Sequence, residues 1–220
     1  MILLVANPKG GVCKTSLATS ILAELAKEKG VVGVDLDSAN KSASAEWSQK
    51  RSEVDGRFYY LSGDIKDKLI EISQDYDEVV IDAGGFDNIE YRQAISVADV
   101  VLIPLLVGSN SNIEGLRKVA EMVEQIRPEN LPKVYGVVTK APNHTTTPEL
   151  ERAINEIVSD QLVTPCPTVI GDRTWYSRAF DEGIGLTELK PIKRNEVKYI
   201  AAAQKEFLTL FNFIYGENND

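Results

Sequence analysis

Lys14 and Thr15, just beyond the glycine pair Gly10 and Gly11, are the residues of this sequence best placed to do chemistry. They stand in the stretch Ile2 to Ser16, ILLVANPKGGVCKTS, where an apolar β-branched run leads through a glycine-containing loop into a helix-forming segment. Such a loop aims several backbone N–H groups at one point, and the helix dipole adds positive potential there, so polyphosphate is its natural ligand. Gly10 and Gly11 let the backbone approach phosphate oxygens, Lys14 reaches the β and γ phosphates as a point charge, and the Thr15 hydroxyl ligates Mg²⁺. The general pattern G-x-x-x-x-G-K-[ST] is nevertheless broken, by Pro8 at the first glycine and Cys13 at the second. Three carboxylates, Asp35, Asp37 and Asp82, end other apolar runs. At the C-terminal end of a parallel strand such groups point into the ligand crevice, where they hold metal-bound water or orient an attacking one.

The elements that must position these groups follow from periodicity. Strands are expected at Ile2 to Val5, Val31 to Val34, Phe58 to Leu61, Glu78 to Asp82, Val100 to Leu106, Val134 to Val138 and Thr168 to Ile170. Helices are expected at Leu17 to Lys29, Ser42 to Arg51, Ile65 to Gln74, Ile89 to Val97, Ile113 to Ile126, Glu149 to Ser159 and about Asn195 to Phe213. In the last, Val197, Ile200, Ala201, Phe207, Leu208, Phe211 and Ile214 form the buried stripe. Asp172 to Glu188 reads as loops with one short helix, a Thr/Pro loop runs from Thr145 to Pro148, and the polar tail frays. The alternation implies an α/β fold, a doubly wound, mostly parallel sheet with helices on both faces, in a single domain of residues 1–216 with a tail at 217–220.

Composition narrows the function classes. At 220 residues, 43% hydrophobic, the chain can bury a sizeable core. No apolar run approaches the roughly 18 residues of a membrane span, and no leader pattern follows Met1, so a cytoplasmic protein without membrane contact is expected. Cys13 and Cys166 lack CxxC spacing and read as reduced thiols. The single histidine, His144, argues against a histidine-based metal site or triad and reads as surface. A net charge of -9 opposes generalised nucleic-acid binding and requires a local basic patch for any contact with DNA. Between Leu189 and Lys205 there are five positives, Lys190, Lys193, Arg194, Lys198 and Lys205, against one acid, Glu196. This segment is either a patch that tracks DNA phosphates or the solvated face of an amphipathic helix.

KGGVCKTS resembles the deviant phosphate loop K-G-G-x-G-K-[ST]-[ST] of the ParA/MinD family of dimeric P-loop ATPases, and Asn7-Pro8-Lys9 resembles its lead-in. The resemblance makes Lys9 the signature lysine, which reaches across a nucleotide-sandwich homodimer to the other subunit's phosphates. It implies ATP held by Lys9, Gly10, Gly11, Val12, Cys13, Lys14, Thr15 and Ser16, Mg²⁺ by Thr15, Asp37 and Asp82, and catalysis by Lys9, Lys14 and Asp37. Asp35-Leu36-Asp37 is similar to the family's D-x-D, with Asp37 positioning water and Asp35 supporting it, although Ser38-Ala39 replaces the usual Pro-Gln. Asp82-Ala83-Gly84-Gly85 is similar to its D-x-x-G form.

Arg173 and YSRAFDEGIGLTE (Tyr176 to Glu188) resemble a late family segment, whose role is a nucleotide contact, a dimer interface or packing. Thr139-Lys140 is either a base contact or an ordinary strand end. Cys13 departs even from the family. A helix N-terminus beside Lys14 lowers a thiol pKa, while the simpler reading turns the side chain away from the phosphates and leaves slow hydrolysis. The resemblance is strongest to a small ParA-type partition ATPase that binds DNA non-specifically, associates with the nucleoid when ATP-bound and is stimulated by a centromere-binding, ParB-like partner. A MinD-like positioning ATPase and a P-loop small-molecule ligase are the alternatives.

Overall fold

The computed structural model describes residues 1–37, 43–51, 56–85, 88–108, 110–142 and 147–216. Ser38 and Ala39, His144 with most of its loop, and the tail from Glu217 lie outside the described residues. In chain order the elements are β1 (Ile2–Val5), α1 (Lys14–Leu25), β2 (Val31–Asp35), α2 (Ala43–Lys50), β3 (Phe58–Tyr60), α3 (Lys66–Asp75), β4 (Glu78–Asp82) and α4 (Ile89–Val97). They continue with β5 (Val100–Leu106), α5 (Asn110–Ile126), β6 (Lys133–Thr139), α6 (Pro148–Ser159), β7 (Thr164–Pro165), α7 (Thr174–Asp181) and α8 (Val197–Tyr215). Short 3₁₀ turns occupy Leu186–Glu188 and Arg194–Glu196.

The strands form a seven-stranded sheet in the order β3-β2-β4-β1-β5-β6-β7, parallel throughout. Side chains alternate across it as the two-residue strand period requires. Ile2 and Leu4 of β1 pack with α3, α4, α5 and α6, whereas Leu3 and Val5 pack with α1, α2, α7 and α8. Both faces are thus covered, which is why the central strands read as continuous apolar runs. β1 lies between β4 and β5, so the ends of β1, β2 and β4 deliver the glycine loop, Asp35 and Asp82 to one edge of the sheet.

Three expectations need correction. The final strand is Thr164–Pro165, not Thr168 to Ile170. Pro165 and Pro167 have no N–H to give a ladder, so pairing with β6 is broken and resumes where Ile170 N–H donates to Val138 O at 2.9 Å. The buried stripe of α8 is Ile200, Ala203, Phe207, Leu210 and Ile214, a 3-4-3-4 spacing. Val197 is 51% exposed and Ala201 also faces solvent, because the helix has apolar residues on both faces and the sheet-side packing begins at Ile200. The first helix starts at Lys14 and ends at Leu25, earlier at both ends than its apolar pattern implied.

Candidate functional site

After β1 the chain enters the loop through Asn7, fully buried, whose Nδ2 donates to Pro104 O at 2.8 Å and whose Oδ1 accepts from Lys9 N–H at 2.9 Å. Asn7 thereby ties the loop to β5. α5 can approach this anchor because residue 115 is glycine: a Cβ there would lie 2.6 Å from Asn7 Oδ1 and 3.2 Å from Lys9 Cγ. Neither contact was legible, since 97 residues separate Asn7 from Pro104.

The loop turns through two left-handed residues, Gly11 at φ 75 and Cys13 at φ 70. The second is the N-cap of α1 and carries no side-chain cap bond. Glycine adopts this conformation freely, while a side chain is strained there by about 1–2 kcal/mol. Val12 is buried, leaving its backbone as the group available to a ligand, and its carbonyl accepts from Thr139 Oγ1 at 3.3 Å. Lys14 is buried in the loop with Nζ donating to Lys9 O at 2.8 Å. Burial lowers its pKa, against the pull of Asp82 and Asp37. Lys9 instead lines a separate hollow of about 530 Å³ with Gly85, Glu114, Arg117, Lys118 and Glu121.

At the end of β4, Asp82 is buried and its Oδ1 has no hydrogen-bond partner among the described residues. Burial pushes its pKa up to about 7, opposed by the Thr15 hydroxyl bonded to it and by Lys14, and reinforced by Asp35 and Asp37. An orphaned carboxylate oxygen beside a hydroxyl, facing a loop of N–H groups and an ammonium, fits Mg²⁺ carried on a polyphosphate. Magnesium keeps several waters and takes one or two protein oxygens with phosphates. Asp37 is half-buried at the same edge. Asp35 accepts from Asp37 N–H at 2.7 Å and from the Ser44 hydroxyl, so its carboxylate fixes the turn that carries Asp37.

A cleft of about 360 Å³ opens beside the loop, lined by Gly11, Cys13 and Lys14 to Ser16 on one side and by Lys140 and residues 170–174, 176 and 177 on the other. Lys140, at φ 52, and the start of the late segment therefore face the phosphate loop. Glu206 of α8 holds that wall: its Oε2 accepts from Gly171 N–H at 3.1 Å and from Arg173 Nε at 3.0 Å, and Oε1 takes Arg173 Nη2. The rest of the late segment packs. Tyr176 and Ala179 are buried, and Glu188 takes Arg51 at 3.0 Å and the Gly185 N–H at 2.6 Å. Cys13 also lines the cleft, and its thiol pKa is raised, not lowered. Burial and Asp172 outweigh Lys140 and the Thr139 hydroxyl, against the lowering that a helix N-terminus beside Lys14 would give.

Lys190, Lys193, Arg194 and Lys198 are exposed on the turn before α8 and its first residues. With them stand Ile192 at 75%, Val197 at 51% and Tyr199 at 43% exposure. Among the described residues no helix is long and apolar enough to cross a membrane.

Residues 3–186 match the CobQ/CobB/MinD/ParA nucleotide binding domain family. The chain is similar to the maintenance of carboxysome distribution protein A of Halothiobacillus neapolitanus, 29% identical over 194 residues, covering 85% of this chain and 87% of the relative. It is similar to the protein ParA of Rhizobium radiobacter, 28% identical over 219 residues and 96% of both chains. The fold is that of the McdA–ATP complex of Cyanothece, with a TM-score of 0.72 over 97% of this chain and 95% of that one, at 18% identity.

Proposed function

Because the chain belongs to the CobQ/CobB/MinD/ParA nucleotide-binding domain family, we propose that it is a small ParA-type partition ATPase whose ATP-bound state is a homodimer on DNA. The observation that carries the nucleotide part is the buried Asp82 oxygen without a partner beside the Thr15 hydroxyl and Lys14. Bound ATP·Mg²⁺ supplies the scissile phosphoanhydride and the counter-charge for Asp82. Backbone N–H groups from Gly10 to Ser16 hold the phosphates, Lys14 shifts from the Lys9 carbonyl to their oxygens, and Thr15 with Asp82 holds the metal shell. Asp37, on the turn fixed by Asp35, orients the attacking water. Lys9, which lines the hollow beside α5 and not the cleft beside the loop, serves a second subunit's phosphates in this scheme.

Hydrolysis in this scheme is slow and acts as a timer, with a centromere-binding, ParB-like partner accelerating release. ATP selects the dimer by binding it more tightly than the monomer. The likeness to a ParA across 96% of both chains supports partition as the task, and the exposed cations from Lys190 to Lys198 support non-specific DNA contact. The protein then works in the cytoplasm and on the nucleoid. DNA retention at rising salt tests this: it should need ATP and disappear in the Lys193→Glu, Arg194→Glu, Lys198→Glu variant while the dimer survives. Unchanged retention by that variant would remove the patch from the account.

A second reading, positioning of a cargo other than DNA, is favoured by the similarity to a carboxysome distribution protein. It predicts ATP-dependent dimers that associate with a protein surface and ignore DNA. A small-molecule ligase would instead turn over ATP only with a small carboxylic acid present.

A further inference from the structure

The cationic turn before α8 is held in shape by one acid. Glu196 Oε2 accepts from Ile192 N–H at 2.8 Å and from Lys193 N–H at 3.3 Å. The same oxygen takes Arg178 Nη1 at 3.1 Å, and Arg178 Nη2 donates to Lys190 O at 3.1 Å. Glu182, one helical turn beyond Arg178, binds its Nε at 2.9 Å. One carboxylate and one guanidinium thus fix the backbone at residues 190, 192 and 193, from opposite ends of the turn. Glu196, the one acid in the sequence between Leu189 and Lys205, is occupied by Arg178 and by two N–H groups.

We propose that Glu196 is a positioning residue for polyanion binding: with Arg178 it pre-orders the turn so that Lys190, Lys193, Arg194 and Lys198 present their charge as one rigid surface. The inference rests on the DNA reading above and adds to it a residue whose charge alone argues the other way. By simple electrostatics, removing an acid from a cationic patch strengthens binding to phosphate. By pre-organisation, losing the bonds that order the turn weakens it, because the ordering entropy is then lost on binding. The hydrogen bonds decide in favour of the second effect. Glu196 also titrates below the usual glutamate range, because the Ile192 and Lys193 N–H groups and Arg178 favour its charged form.

Two substitutions separate the effects. Glu196→Gln and Glu182→Gln each remove one negative charge from Arg178, but only the first also weakens the bonds from the turn's N–H groups, since a neutral amide oxygen is a poorer acceptor than a carboxylate. With ATP and Mg²⁺ present, retention on duplex DNA at fixed salt should weaken about fivefold in Glu196→Gln, the scale of a lost charge-assisted hydrogen bond. Glu182→Gln should bind as well as the native protein or slightly better. Amide hydrogen exchange at Ile192 and Lys193 should quicken in Glu196→Gln alone, with ATP-dependent dimerisation unchanged. Should Glu196→Gln bind DNA as tightly as the native protein, or the two variants weaken alike, the proposal fails while the DNA reading stands. Native ATP-bound protein that does not bind DNA at all, or that binds only anionic vesicles, overturns both.

Discussion

Cys13 places a side chain in a backbone conformation that favours glycine, at the N-cap of α1 and on the wall of the cleft. Relief of left-handed strain, about 1–2 kcal/mol, is offset by the greater unfolded-state freedom of glycine, about 0.5–1 kcal/mol, and by loss of the buried thiol. Cys13→Gly should therefore melt within about 3 °C of the native protein. Its ATP turnover should rise, since the loop closes on phosphate without a thiol in the cleft. Equal turnover would make Cys13 a neutral replacement. Asp82 makes a sharper case. Its folded pKa of about 7 exceeds the unfolded value, so in metal-free protein this group favours the folded state at low pH and the benefit is lost as pH rises through 4 to 7. Asp82→Asn should accordingly raise the melting temperature in EDTA at pH 8, corresponding to at most about 4 kcal/mol, and by much less at pH 5. The same variant should lose the extra stability that ATP·Mg²⁺ confers on the native protein. Asp37→Ala should keep ATP-dependent dimers and lose hydrolysis; loss of binding would reassign Asp37 to holding the loop.

At the scale of elements, the approach of α5 to the loop depends on Gly115. Gly115→Ala forces a Cβ to within 2.6 Å of Asn7 Oδ1, so Asn7 or the helix must move. We expect a loss of about 1–3 kcal/mol of stability and weaker ATP-dependent dimerisation, because Lys9 is displaced with Asn7. Wild-type stability and dimerisation in this variant would show that α5 yields freely. The same scale explains what could be read in advance. The places of the phosphate loop, Asp35, Asp37 and Asp82 were legible because strand, loop and helix are contiguous and the carboxylates close two apolar runs, Asp35 and Asp37 that of β2 and Asp82 that of β4. α4 and β5 were read to the residue for the same local reason. The opposite wall of the cleft was legible only in part: Lys140 and Arg173 were named with other readings open, whereas Gly171 reaches it only through the order of strands and Glu206 holds it from α8. The α8 stripe was misphased at Val197 and Ala201 because apolar residues occur on both faces of that helix and only packing decides which face is buried.

For the molecule as a whole, the sheet brings the loop and the acids of β2 and β4 to one edge, and Lys9 leaves that edge for the hollow beside α5. In the proposed pairing that lysine is the group a second copy would use. The claim that nucleotide controls this pairing is central. Static light scattering with Mg²⁺ and either ATP or ADP tests it most directly. The mass should double with ATP, stay monomeric with ADP, and stay monomeric with both in Lys14→Ala. A mass indifferent to nucleotide, whether monomer or dimer throughout, would contradict the account.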